Sequence, residues 1–504
     1  MLYVNVLEDV ILLTRTRLSR FFQASSVERE PRSYSTRTAG KAAGTSTEIL
    51  DTPLAPASSA GSSPAVRPNS LPGPIQPNAI QQAAFVLLCI YVVSNLANDW
   101  SVRLFGERAF LSLISGALLP VACFIGGTAL RGLRFWTGRW WLAFLVWATM
   151  AIPFSHWPGG SFNVVKEFAL KNWPLMFCAV AAVLTVEQCR KLFHVIIFGA
   201  IFVMLACYFF GDASDGRLLI PNSLFFDNPN DLALQLLLGG MFCAYLLLSR
   251  NVVRQIFGAI LIAMSVLFIL KTGSRANFLS VIACLIVALI VVQRKGKLVI
   301  LAGALLLIAP IFISASQWSR LVYIVWAPEE QDATNGDLES QIERTEVAKK
   351  AFFYSAEHPL FGLGPGQFGD VVWSDAKKEG LRQPSLGTHN TYLQVSSEMG
   401  IPGLIFYLGT LGGALGMSLR LYRRAIRDPR MPDVANMALC LFLALVAYSF
   451  STLFHHVAYS RQLPTLAGLT VALWAAAASQ FPAASSKSDV QKPWGLPISP
   501  TPAK

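Results

Sequence analysis

The sequence predicts an all-α polytopic membrane protein with about 12 transmembrane helices and one long outer loop. Hydrophobic residues make up 54% of the 504 residues and charged residues only 14%, whereas soluble proteins usually contain roughly 25% charged residues. The mean hydropathy is +0.49. Apolar runs of a length that crosses a hydrocarbon core of about 30 Å recur along the chain. These observations exclude an ordinary soluble domain.

Twelve apolar runs are the predicted membrane-spanning helices. They cover residues 80–98, 109–130, 139–155, 172–186, 192–210, 232–249, 254–270, 275–293, 298–315, 399–420, 434–454 and 463–481. The fourth is the weakest because it is short and contains Pro174. Nine helices are thus expected in 80–315 and three in 391–481, separated by a loop at 316–390. The Ser- and Pro-rich segments 1–79 and 482–504 are expected to form disordered cytoplasmic tails.

The distribution of basic residues predicts the orientation. A net charge of +12 would also fit a nucleic-acid-binding protein, but Lys and Arg are concentrated in alternate loops. With the N-terminus inside, the short inside loops hold fifteen basic residues and the short outside loops eight. Because cytoplasmic loops collect Lys and Arg, both termini are expected in the cytoplasm and loop 316–390 outside. The charge therefore indicates topology, and no nucleic-acid partner is predicted.

Two outer turns contain groups suited to phosphates or sugars. In the turn 271–277 (KTGSRAN), Ser274 is expected to cap the next helix. The free N–H groups of that helix and the planar Arg275 would together suit a diphosphate. In the turn 226–231 (FDNPND), Asn228 and Asn230 have amides able to hold sugar hydroxyls. The simpler alternatives are that Arg275 reaches lipid headgroups, and that Asn230 or Asp231 only caps a helix.

The long loop contains a second arginine of interest. Residues 338–355 have the pattern of an amphipathic helix, and Arg344 lies near its apolar side. That side is marked by Ile342, Val347, Ala348, Ala351 and Phe352. The chain then passes through His358, expected to be a turn residue before a proline, and a glycine-rich turn at 362–366 (GLGPG).

His389 is the best candidate for a general base. Its ordinary pKa of about 6.5 suits proton transfer near neutral pH, and Asn390 and a helix break at 400–403 (GIPG) follow it. One alternative is that His389 caps the next helix together with Asn390. His455 and His456 are alternative bases with less support, because nothing around them in the sequence suggests phosphate binding.

Taken together and in this order, these motifs resemble the O-antigen ligase and O-antigen polymerase superfamily of membrane glycosyltransferases. The resemblance covers roughly residues 80–480. It rests on 226–230, Ser274-Arg275, Arg344 with the turn 358–364, His389-Asn390 and 400–403.

The resemblance implies a GT-C-like fold in the bacterial inner membrane and an active site on the periplasmic side. Arg275 and Arg344 would bind the diphosphate of a glycan donor carried on undecaprenyl diphosphate. His389 would activate an acceptor hydroxyl, in a single displacement that inverts the anomeric centre. No P-loop is present and the outer loops lack an Asp-x-Asp motif, so we expect neither a cofactor nor a metal. Secondary candidates are Asn228, Asn230, Ser274 and Asn390.

Three functions remain open at this stage. A single outer loop of moderate size favours a ligase that transfers the glycan to lipid A–core. A polymerase of O-antigen or exopolysaccharide, whose acceptor is a second lipid-linked glycan, is the first alternative. A polysaccharide or lipid transporter, or flippase, is the alternative from another class. It is disfavoured because the spans carry almost no charges at their centres.

Overall fold

The computed structural model of this chain is helical. It describes residues 76–105, 110–213, 216–223, 226, 228–292, 295–296, 299–300, 302–304, 335–378 and 387–481. The C-terminal tail, most of the N-terminal tail and most of the ninth predicted span lie outside these ranges. Within them there are helices and one isolated β-bridge, between Asp212 and Leu219. The predicted all-α class is confirmed.

The helices before the long loop are named in chain order. They are α1 (Ala79–Leu96), α2 (Asn98–Phe105), α3 (Phe110–Ile125), α4 (Trp136–Ala151), α5 (Pro158–Glu167), α6 (Leu175–Ala182), α7 (Val186–Phe210), α8 (Pro229–Leu247), α9 (Val252–Lys271) and α10 (Arg275–Val291). Short 3-10 turns at Ala129–Arg134 and Ile152–Phe154 and a π-turn at Phe168–Asn172 connect some of them.

The later helices include two from the loop. They are α11 (Asn335–Glu357), α12 (Phe368–Lys378), α13 (Thr391–Ala425), α14 (Pro432–Ser451) and α15 (Gln462–Gln480). The amphipathic helix predicted at 338–355 is confirmed as α11. Val347 and Ala351 are buried as expected, but Phe352 is 69% exposed, so the buried stripe is narrower than the sequence indicated.

Seven of the described helices are long and apolar enough to cross a membrane, namely α1, α7, α8, α9, α13, α14 and α15. Two shorter apolar helices, α3 and α10, also fall at predicted spans. Of the fourth predicted span, 172–186, residues Leu175–Ala182 are α-helical as α6, or about 12 Å at 1.5 Å per residue. Pro174 precedes α6 and a π-turn lies just before it, and a proline disrupts the regular bonding of a longer helix.

Helix α14 forms the centre of the bundle. In its most apolar stretch 83% of the residues are buried, compared with 22% for the peripheral α1 and α9. It packs against α8, α10, α13 and α15. Tyr448 on α14 and Tyr407 on α13 are fully buried and their hydroxyls hydrogen-bond at 2.7 Å, which satisfies both polar groups in the core.

One end of the bundle gathers the loops that contain the candidate residues. The N–H of Leu218 donates to Lys271 O at the end of α9, and the N–H of Thr391 donates to Thr452 O just after α14. Asn277 near the start of α10 also contacts Asn230 near the start of α8 and Ser451 at the end of α14. The starts of α8, α10 and α13 and the end of α14 therefore meet at the same end. We call this end the His389 face.

Candidate functional site

The glycine-rich turn after α11 packs onto a break in α13. Pro402 has no N–H, so the carbonyl of Glu398 loses its usual helical partner. The N–H groups of Leu363 and Gly364 donate instead to the carbonyls of Ser397 and Glu398, at 2.8 and 3.0 Å. The loop thus bonds backbone carbonyls near the break. One of them, the carbonyl of Glu398, has no helical partner because of Pro402.

The side chain of Glu398 makes a second connection at this point. Its carboxylate, only 3% exposed, accepts hydrogen bonds from the N–H of Gly366 at 2.9 Å and from the hydroxyl of Tyr459 at 2.7 Å. Tyr459 belongs to the connection 452–461 between α14 and α15. Glu398 therefore joins the long loop, α13 and this connection.

Replacing Gly364 by alanine is expected to detach the loop. Gly364 has a φ of +103°, and an added Cβ would lie 2.0 Å from the Cβ of Ser155. Strain and overpacking together should cost about 2–5 kcal/mol. Thermal unfolding in detergent, with limited proteolysis of 335–390, measures this loss.

The matched control is Gly412→Ala, because Gly412 lies within α13 and an added Cβ would meet nothing within 4 Å. Alanine is also the better helix former. A Gly364→Ala protein as stable and protease-resistant as Gly412→Ala would contradict the docking of the loop.

Asn277 is the centre of a buried polar chain at the His389 face. It lies in the first turn of α10 and is 0% exposed. Its Nδ2 donates to Asn230 O at 3.2 Å and to the Oγ of Ser274 at 3.0 Å. Its Oδ1 accepts from the Oγ of Ser451 at 2.8 Å. Asn277 therefore links the starts of α8 and α10 to the end of α14.

The predicted caps are corrected in detail. Asn228, rather than Asn230 or Asp231, caps α8, because its Oδ1 accepts from the N–H of Asn230 at 2.9 Å. The Oδ1 of Asn230 accepts instead from Arg217, at 3.1 Å. Ser274 occupies the cap position of α10 without a capping bond from its side chain, since its Oγ accepts from Asn277.

His455 lies at the other end of this polar chain. It is 5% exposed, and its Nδ1 is 3.0 Å from the Oγ and 3.1 Å from the carbonyl oxygen of Ser451. Burial lowers its pKa to about 4, and the charges of His456, His389 and Arg344 act in the same direction, partly offset by the bond to Ser451. His455 is therefore neutral at neutral pH.

His389 precedes α13 in an unusual backbone conformation. Its φ is +49°, a left-handed value that is uncommon outside glycine. Asn390, not His389, caps α13: its Oδ1 accepts from the N–H groups of Tyr392 and Leu393, at 2.9 and 3.0 Å. The His389 ring lies edge-to-face with His456, at 5.3 Å between centroids.

The structure also brings Arg344 to this cluster. The pKa of His389 is lowered to about 4, first by burial and then by the charges of His456 and Arg344. Arg344 projects from α11, which Val347 and Ala351 anchor. The hydroxyls of Ser355 on α11 and Ser396 on α13 hydrogen-bond at 2.8 Å, so the long loop packs against α13, with Arg344 within electrostatic reach of His389.

Arg275 reaches the same face from a different helix. It is the first residue of α10 and half-buried, two positions before Asn277. Through Asn277 and Ser451, the start of α10 is joined to His455 and so to the cluster around His389. His358, by contrast, is exposed beside Glu357, as expected for a turn residue.

Three residues of this arrangement were undervalued or missed by the sequence analysis: His455, Ser451 and Asn277. Asn277 was visible only as the end of a turn, and Ser451 as part of an apolar run. The sequence feature that could have pointed to His455 is the short connection 452–461, because it begins and ends on the same face as His389. Of its two histidines, His455 lies within the electrostatic reach of Arg344, although the local sequence gives no sign of it.

A cavity of about 110 Å³ lies among α1, α7, α8 and α15. Its lining is mostly apolar and includes Arg461, whose Nη1 donates to the Oδ1 of Asn95 at 2.8 Å. Arg275, Arg344 and His389 are not among the lining residues. In the described part of the chain, no group of three or more His, Cys, Asp or Glu residues is placed to hold a metal ion.

Comparison with known proteins gives two matches. Residues 259–408 match the model of a family described as O-Antigen ligase. The chain is also 22% identical over 246 residues to a Bacillus subtilis (strain 168) protein described as teichuronic acid biosynthesis protein TuaE. This similarity covers 47% of the chain and 49% of the relative, so the chain spans about half the length of the curated relative it matches.

The comparisons confirm the resemblance to the O-antigen ligase and polymerase superfamily. The family match runs from α9 into α13 and contains Arg275, Arg344 and His389. Asn228 and the pair His455-His456 lie outside it.

Proposed function

We propose that this multi-pass membrane protein, whose residues 259–408 match the O-antigen ligase family, transfers a glycan from undecaprenyl diphosphate to an acceptor hydroxyl. One observation carries the proposal. Within the matched segment, a neutral histidine, His389, lies within the electrostatic reach of Arg344, although 45 positions separate them in the sequence. A base beside a fixed positive charge suits a reaction that removes a proton and releases an anion.

The proposed reaction is a single displacement. His389 removes the proton as the acceptor oxygen bonds to the anomeric carbon, and the bond from that carbon to the diphosphate oxygen breaks. The electron pair leaves with the lipid diphosphate, where Arg275, Arg344 and the start of α10 stabilise the charge. Fixed charges that act on developing charge are usually the largest contribution to catalysis. The anomeric centre is inverted, and no step uses a metal.

The low pKa of His389 has a consequence for substrate binding. Burial disfavours a proton on His389 most, and the charges of His456 and Arg344 disfavour it further. A bound diphosphate would offset the charge of Arg344 and raise this pKa again. His389 would therefore be deprotonated when substrate arrives and become a stronger base once the donor is bound.

The pH dependence of the reaction tests this idea. The acid limb of kcat/KM, which reports the free enzyme, is expected at about pH 4, the value for His389. The acid limb of kcat, which reports the substrate complex, should lie at higher pH. Rates between pH 3.5 and 8 measure both limbs; coincident limbs near pH 6.5 would contradict the shift.

The lowered pKa of His389 also affects folding stability. Because the unfolded chain binds this proton more readily, the contribution of His389 to stability declines as pH falls from about 6.5 to about 4.

We further propose an inner-membrane location, with both termini cytoplasmic and the His389 face periplasmic. The excess of Lys and Arg in the opposite loops supports this orientation. Lys349, exposed on α11, provides a test. In a Lys349→Cys protein, a membrane-impermeant maleimide should label the new thiol in intact spheroplasts; labelling only after lysis would reverse the orientation.

The acceptor is proposed to be lipid A–core, which would make the protein an O-antigen ligase. The name of the relative, which refers to teichuronic acid, favours testing polymerisation as well. The experiment supplies purified protein in liposomes with lipid-linked glycan and either lipid A–core or a second lipid-linked glycan. Transfer to lipid A–core alone supports the ligase, and chain extension alone supports a polymerase. Absence of transfer to both acceptors contradicts the glycosyltransferase proposal.

A further inference from the structure

His455 has a buried nitrogen whose partner is not found in the described part of the chain. The Nε2 atom is inaccessible and makes no hydrogen bond there. A buried polar atom left without a partner costs about 1–3 kcal/mol. Such atoms at a candidate site call for an explanation.

The contacts of Asn277 determine which nitrogen of His455 carries the proton. A carbonyl oxygen only accepts hydrogen bonds, so the atom of Asn277 that faces Asn230 O is the Nδ2 donor. Its other atom, Oδ1, must then accept from the hydroxyl of Ser451. The proton of Ser451 is therefore already committed, and Ser451 can only accept from His455.

The carbonyl of Ser451 leads independently to the same assignment. It lies 3.1 Å from the Nδ1 of His455, and that contact also requires a proton on Nδ1. Because His455 is neutral, the proton is on Nδ1 and the unpartnered Nε2 has a free lone pair. The polar chain thus presents His455 as a fixed hydrogen-bond acceptor.

We propose that the Nε2 of His455 accepts a hydrogen bond from a hydroxyl of the glycan held beside His389. The inference rests on the proposed function. The hydroxyl of Thr391, two residues after His389, donates to the carbonyl of His455 at 2.6 Å, and His389, His456 and Arg344 all act electrostatically on His455, so His455 belongs to the same cluster. A sugar hydroxyl is the donor expected in a site that binds glycans. The groups that cover Nε2 must move aside as the sugar enters.

The expected role of this acceptor is specificity. Hydrogen-bonding sites that are left unpaired by the wrong substrate reject it strongly, by up to about 10⁴-fold. A sugar with a hydroxyl at the matching position would satisfy Nε2, whereas a deoxy sugar would leave it unpaired. His455 would contact the substrate without taking the reacting proton, which remains with His389.

Two substitutions of His455 separate this role from a purely structural one. In His455→Asn the amide can still donate to Ser451 from the position of Nδ1, but the acceptor at Nε2 is lost. In His455→Gln the longer amide can place an acceptor near Nε2, but the donor to Ser451 is lost. Each variant therefore retains one of the two hydrogen-bonding functions of the imidazole: asparagine keeps the donor to Ser451 and glutamine keeps the acceptor near Nε2.

The experiment uses the full-length protein in liposomes and lipid-linked glycan extracted from the strain that makes the protein. His455→Asn is expected to retain the wild-type Tm and to lose about 100-fold in kcat/KM. His455→Gln should keep more activity than His455→Asn and have a lower Tm. Wild-type activity in His455→Asn, or the reverse order of activities, would overturn the proposal.

A measurement that does not require turnover distinguishes failure of this inference from failure of the proposed function. The chain has six histidines, so ¹⁵N-histidine spectra of the wild type and His455→Gln identify the signal of His455. The expected signal has a protonated Nδ1 and a bare Nε2, and the Nε2 resonance shifts when lipid-linked glycan is added. A shift without transfer retains the binding role and rejects the function; transfer without a shift rejects the binding role alone.

Discussion

Replacement of His389 by asparagine is expected to lower kcat/KM for glycan transfer by about 10²–10⁴-fold, the usual contribution of a general base. Asparagine is the informative substitution because it tolerates the left-handed backbone, with φ of +49°, that His389 adopts. The fold should therefore survive while the base is lost. Initial rates in liposomes, with Tm measured on the same preparation, give the result.

The matched control for His389 is His358→Ala. His358 belongs to the same long loop but is exposed at a turn, outside the cluster of His389, His455 and His456. Its replacement should leave both rate and Tm unchanged. Equal losses in the two variants would indicate a general effect on the loop, and full activity in His389→Asn would eliminate His389 as the base.

Removal of either arginine is the second large expected effect. Arg275→Ala and Arg344→Ala should each lower kcat by about 10²–10³-fold, comparable to the loss of one group that stabilises the charge of a transition state. Lysine at either position should restore part of the rate, because it supplies the charge but not the planar fork that binds two phosphate oxygens. The measurement is single-turnover transfer at saturating donor.

Each arginine has a control on its own part of the molecule. Lys349 is exposed on α11 with Arg344 and pairs with Glu346 at 2.8 Å, and such exposed pairs contribute little. Arg254 is exposed near the start of α9, at the end opposite Arg275. Alanine at Lys349 or Arg254 should change the rate less than twofold. A loss in Lys349→Ala equal to that in Arg344→Ala would remove the specific role of Arg344.

The double variant adds a further test. If Arg275 and Arg344 bind the same diphosphate, removing the second should cost less than removing the first, because groups that act as a unit are not additive. Full additivity of the two losses would indicate that the arginines act at separate places.

The sequence by itself determined the class of the protein and the identity of its main candidate residues. Long apolar runs require helices in a membrane, since backbone groups there must bond within their own segment. Arg275, Arg344 and His389 were recognisable because their chemistry is rare among apolar spans and their order matches a family. The docking of the turn 362–366 onto Ser397 and Glu398 was not predicted, because the sequence shows only glycines and a proline in two separate segments.

The tertiary structure alone decided which groups meet. Asn277, Ser451 and His455 lie on three different segments, and their hydrogen bonds depend on how α10 and α14 are placed side by side. The same packing gave Asn230 its contacts with Arg217 and Asn277. Local sequence determines whether a segment is helical and apolar, but the distances between helix ends depend on the packing of the whole bundle. That packing buries His455 in the cluster of His389. The lowered pKa of His455 and its fixed tautomer follow from this position.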